Sequence, residues 1–142
     1  MQLSDIWTAS GVLLGFQTTS FLWRVSNEVA RSREGDLTWL PPADIVNLAA
    51  MTAIVLGVFV APAVGAAFVD SSKIFGLSAI LFVGHCFCLA GHYEMFNPNT
   101  TRSMTYFPTQ EKIAVGFVVL IAIVYLLSVG CAKNILGSSG IP

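Results

Sequence analysis

The sequence reads as an all-α integral membrane protein, a bundle of four transmembrane helices. Charged residues make up 11% of its 142 residues, under half of the about 25% usual in soluble domains. Apolar residues make up 55%, and they fall in long uncharged blocks rather than in a stripe. Residues 45–69, 74–93 and 113–132 hold no Asp, Glu, Lys or Arg, and each block reaches the ~20 residues a helix needs to cross the hydrocarbon. Only helices bury such segments, because every backbone N–H and C=O must be paired internally. The chain is short enough to form one domain, and its formal net charge of −1 points away from nucleic acid as a partner.

The first block, 6–23, is more polar than the others, with Thr8, Ser10, Gln17, Thr18, Thr19 and Ser20. Trp7 and Trp23 bracket it about 24 Å apart at the helical rise, near the spacing of two interfacial aromatic belts. It reads as a fourth span, against the alternative of an amphipathic helix lying in the membrane surface. No Lys or Arg precedes it, which argues against a cleavable secretory signal. Gln17, Ser20, Arg24, Asn27 and Arg31 recur at spacings of three and four, so the helix is expected from about Ser4 to Ser32, with one polar stripe. Glu28 sits within reach of Arg24 and Arg31. The stripe reads either as a solvated face or as a docking face for a partner.

The second span carries Ala49, Ala53, Gly57, Ala61 and Gly65 at intervals of four, a flat strip that admits close helix approach. Gly11 and Gly15 on the first helix offer a matching strip, so the two are expected to pack together. Pro62 should bend the second helix just ahead of itself.

The third span holds a polar cluster in which Ser78, His85, Cys88 and His92 share one helical face. Imidazole and thiolate suit copper or zinc, and His92 and Cys88 have a workable chelating spacing. His85 and His92 lie about 10.5 Å apart along the axis, too far for one ion unless Cys88 bridges them. A haem would need an axial ligand from another chain. The favoured reading leaves both histidines neutral and hydrogen-bonded within the bundle, with no cofactor. A proton or ion path is the main alternative, because ionisable residues at membrane depth mark such paths. Tyr125, in the fourth span, needs a hydroxyl partner, for which His85 is a candidate.

Two loops echo one another. Thr38-Trp39-Leu40-Pro41-Pro42-Ala43-Asp44 and Thr105-Tyr106-Phe107-Pro108-Thr109-Gln110-Glu111 each read Thr, aromatic, apolar, Pro, two residues, acid. Pro is pre-set for a first helical turn, and the acid suits the positive end of the helix dipole. The echo reads either as a tandem repeat of two-helix hairpins or as one membrane-entry device used twice. Arg24, Arg31, Arg33, Arg102 and Lys112 lie on the side of these loops, and only Lys73 and Lys133 on the other. The positive-inside rule then puts both termini outside the cytoplasm, with a bacterial inner membrane as the default location. Cys86, Cys88 and Cys131 suggest no disulfide framework.

No hydrolase pattern or phosphate-binding loop is present. The expected function is therefore non-catalytic: a subunit or accessory component of a homo- or hetero-oligomeric membrane complex. Arg24, Glu28, Arg31, Trp39 and Tyr106 would form its cytoplasmic partner face. A small oligomeric channel or transporter using Gln17, Thr18, Ser20, Asn47, Ser78 and His85 is the first alternative, and a metal- or haem-binding redox protein centred on His85, Cys88 and His92 the second.

Overall fold

The computed structural model of the chain describes residues 3–31, 40–66, 70–97, 99 and 105–138. These form an all-helical bundle of four helices: α1 (Leu3–Arg31), α2 (Pro42–Ala63), α3 (Ser71–His92) and α4 (Thr109–Ser138). The helices α2, α3 and the Thr109–Gly130 part of α4 are long and apolar enough to cross a membrane. The first helix is as long but less apolar. Its bounds match the expected Ser4–Ser32 closely. The others begin three or four residues earlier than their uncharged blocks, because Pro42 and Thr109 lead the acids Asp44 and Glu111 into the first turns of α2 and α4, and Asp70 caps α3 ahead of Lys73.

Successive helices run antiparallel. The C-termini of α1 and α3 and the N-termini of α2 and α4 gather at one end, here the loop end. In the packing, α3 is central, with α2 on one side and α4 on the other, while α1 lies against α2 and α3. Near the loop end Ala43, Val46, Cys88 and Val118 form a buried apolar cluster. Toward the far end Ile6, Ile54 and Val58 form a second, flanked by Leu13, Phe59, Ile74 and Phe75. Most of α4 faces outward: Ile113, Phe117, Leu120, Val124 and Leu127 are all exposed. A wholly apolar groove of about 780 Å³ runs between α3 and α4, lined by Ile80, Phe87, Phe117 and Ile121 among others.

Glycines set how closely α4 approaches α3. A Cβ on Gly91 would lie 2.9 Å from the backbone of Gln110 and Glu111, and one on Gly84 would collide with Val118. These positions are seven residues apart, so one glycine face of α3 receives α4. Gly65, at φ +72°, ends α2: its N–H bonds to Pro62 O, and the next N–H, of Ala66, reaches back to Ala61 O, the double return of a Schellman cap. Asp70 caps α3, accepting from the Ser72 N–H at 3.0 Å.

Ahead of Pro62, where a bend was expected, the helix widens into a π-helical turn over Val55–Val60. Proline has no N–H for the carbonyl four residues before it, which here is Val58 O. The Trp7 indole N–H donates to that carbonyl at 3.0 Å. The contact joins the start of α1 to the far end of α2, and buried carbonyls in an apolar medium need such a donor. Trp7→Phe should cost about 1–3 kcal/mol, the penalty for an unsatisfied buried polar group. In a Pro62→Ala background, where a backbone N–H returns, the same change should cost less. Unfolding of the two single variants and the double variant measures the coupling, and equal costs in both backgrounds would refute it.

Candidate functional site

From the loop end a seam of polar side chains runs through the interior. Ser10, Gln17, Arg24 and Glu28 of α1, Asp44 and Asn47 of α2, Ser78, His85 and His92 of α3 and Glu111 of α4 are all buried. Ser10, Gln17 and Arg24 on α1, and Ser78, His85 and His92 on α3, recur every seven residues, which keeps each set on one stripe over about 21 Å of helix, and Glu28 follows one turn after Arg24.

The seam centres on Glu111. One carboxylate oxygen accepts from the Ala43 N–H at 2.8 Å, and the other lies 2.8 Å from His92 Nδ1. Ala43 is the second residue of α2, so its N–H is one of those the helix leaves without an internal partner. Pro41, the residue before α2, offers no side-chain cap; an acid from α4 caps α2 instead, and its charge suits the helix dipole. Beside it, Asp44 forms a buried ion pair with Arg24, tying α2 to α1. Tyr93, just past α3, donates its hydroxyl to Glu28 at 2.7 Å. Deeper in, Asn47 Nδ2 donates to Gln17 O at 3.0 Å, and Ser78 Oγ donates to Ala50 O at 3.0 Å. His85 Nδ1 lies 2.8 Å from Ala43 O.

The polar stripe of α1 therefore turns inward where a partner face was expected. Arg24 and Glu28 are spent on Asp44 and Tyr93 inside the bundle and are closed to a second chain. Tyr106 is half-exposed, and its hydroxyl donates to Leu40 O at 2.7 Å, lashing the two loops together. Trp39 and the side chain of Arg31 lie outside the described residues.

The small-residue strips do not meet within the chain. Gly11 and Gly15 are exposed, with nothing within 4 Å of where a Cβ would sit. Inward-facing Ser10 and Gln17 rotate them off the interface. On α2, Gly57 packs instead against Ile74 of α3, Ala49 and Gly65 are exposed, and Ala53 and Ala61 are half-buried. Ala49, Ala53, Gly57 and Ala61 line an outward groove of about 540 Å³. The packing glycines that matter to α4, Gly84 and Gly91, were visible as a seven-residue spacing but stood inside a segment read for its histidines.

His85, Cys88 and His92 share the expected inner face, but the two imidazoles take separate partners. Among the described residues no group of three His, Cys, Asp or Glu is placed to hold a metal ion. Cys86 faces outward and Cys88 inward. Tyr125 donates to Lys73 O at 3.1 Å, at the far end from His85.

Glu111→Ala strips the cap from α2 and leaves His92 alone. The expected loss is about 2–5 kcal/mol, a helix cap together with a buried hydrogen-bonding group left unsatisfied, read by unfolding in detergent against Ile113→Ala on the outer face. Glu111→Gln, which can still accept from the Ala43 N–H, should lose less. Equal stability of the Glu111→Ala and Ile113→Ala variants would show the junction to be dispensable. Comparison with family models, with curated proteins and with solved structures returns no match.

Proposed function

We propose that the protein is a non-enzymatic membrane subunit whose four helices all cross the bilayer and which assembles with further membrane chains. Support for the fourth crossing comes from the pairing of α1 with α2. Trp7 lies at Val58, Gln17 at Asn47 and Arg24 at Asp44. A helix antiparallel to α2 along that whole length follows α2 through the membrane instead of lying on its surface.

The same reading takes the bundle as two copies of one hairpin. Ser10, Gln17 and Arg24 each stand 68 residues before Ser78, His85 and His92, as do Ile6 and Leu13 before Ile74 and Leu81. In each hairpin a basic side chain late in the first helix pairs with an acid early in the second: Arg24 with Asp44, His92 with Glu111.

The observation that carries assembly is the outward groove on α2. Small side chains facing lipid leave packing unfilled, and a helix of another chain fills it by close approach. With the glycines of α1 turned away, nothing among the described residues does so. Lipid acyl chains suit the apolar groove between α3 and α4. In orientation, the loop end with Arg31, Arg33, Arg102 and Lys112 faces the cytoplasm by the positive-inside rule, in a bacterial inner membrane with both termini outside.

Native mass spectrometry of the full chain, gently extracted from its own membrane, tests this. The wild type should run as a multiple of 15.2 kDa or with unrelated chains at fixed ratio. Ala49→Leu with Ala53→Leu, which fills the groove without touching the seam, should reduce it to the single chain. A wild type already at that mass, or a variant with unchanged assembly, would end the proposal.

A further inference from the structure

The tautomer of His85 follows from its partner. Ala43 O can only accept, so Nδ1 at 2.8 Å must carry the proton and donate it. In the neutral ring the lone pair then sits on Nε2. That nitrogen is buried and has no hydrogen-bond partner. It has company: both polar atoms of the Gln17 amide and Asn47 Oδ1 are likewise buried without partners. These groups come from α1, α2 and α3. Asn47 touches Gln17 O, and His85 touches Ala43, one turn before Asn47 on the same face of α2. Several unsatisfied polar atoms in one stretch of interior are costly in an apolar medium, and such intramembrane polar groups mark proton and ion paths.

Among the described residues, the charged groups that act on His85 lie toward the loop end. Asp44 and Arg24 act electrostatically on His85, and Asp44 also feels His92, which is bound to Glu111. All of these stand toward the loop end. Toward the far end the seam meets the apolar cluster of Ile6, Ile54 and Val58, flanked by Leu13, Phe59, Ile74 and Phe75. Hydrophobic layers of this kind stop conduction by excluding water.

We propose that His85 is a membrane-embedded proton-binding site, loaded from the loop face through the buried polar seam and sealed from the opposite face by the apolar cluster. A proton from loop-side water forms an N–H bond at the Nε2 lone pair. The Nδ1–H stays on Ala43 O, and of the two nearby charges Asp44 favours the new imidazolium and Arg24 opposes it. The bundle thus holds half of a proton path, one step short of crossing.

Two measurements test it. Nitrogen-15 NMR of the full chain labelled at histidine, with His85 identified by its loss in His85→Asn, should show a protonated Nδ1 and a bare Nε2 at alkaline pH. Acidification should protonate both nitrogens. In vesicles with an entrapped pH dye, an acid pulse should move no more protons through the wild type than through empty vesicles. Ile54→Ser with Val58→Ser, which wets the apolar layer, should raise that flux several-fold, and adding His85→Asn should return it to the wild-type level. An Nε2–H tautomer, a wild type that conducts freely, an opened variant that stays silent, or flux that survives His85→Asn would each overturn the proposal. The site requires the bundle to cross the bilayer, but the NMR result reads the same in detergent. A failed tautomer is therefore distinguishable from a failed membrane reading.

Discussion

The Glu111 carboxylate is the point on which the arrangement turns. It belongs to α4, caps the first turn of α2 and holds His92 at the end of α3, so one side chain fixes three helices at a common level. That geometry needs the backbone of α4 to come within contact of α3, which Gly91 permits. It also needs α2 to begin with unpaired N–H groups at the same height, which Pro42 arranges. In a bilayer little hydrophobic force pulls helices together, so packing and shared polar contacts must select the bundle.

The first helix is joined by a different logic. It carries few large apolar residues on its inner face, and its contacts with α2 are an ion pair, an amide on a backbone carbonyl and an indole on another. Each of these groups would be a liability if α1 stood alone in lipid. Together they neutralise one another, and the apolar side chains Val12, Phe16 and Leu22 are left on the outside. The bundle is thus inverted relative to a soluble one: polar seam within, apolar surface without.

Much of this was legible in the sequence. Uncharged blocks marked α2, α3 and α4, the tryptophan pair and polar stripe marked the extent of α1, and Pro62 marked the widened turn. What periodicity could not decide was direction. A stripe of Gln17, Arg24 and Glu28 shares one face in any setting, and whether that face looks in or out depends on Asp44 and Tyr93, which are distant in sequence. The strips at Gly11 and Ala49 fell to the same ambiguity. The hairpin correspondence was seen in the loops, where the spacing is 67, but not in the helices, where it is 68. One residue of slippage between loop and helix hides the match from a single alignment.

The polarity of α1 also bears on how the chain enters a membrane. With Gln17 at its middle and Arg24 toward its loop end, α1 is the least apolar of the four helices. Presented alone as it leaves the ribosome, α1 is a poor substrate for lateral release into lipid. Once α2 follows and Asp44 meets Arg24, the hairpin has little net charge to expose. If α1 crosses the bilayer as proposed, its entry becomes a paired event, with Asp44 of the second helix neutralising the charge that the first would carry in alone.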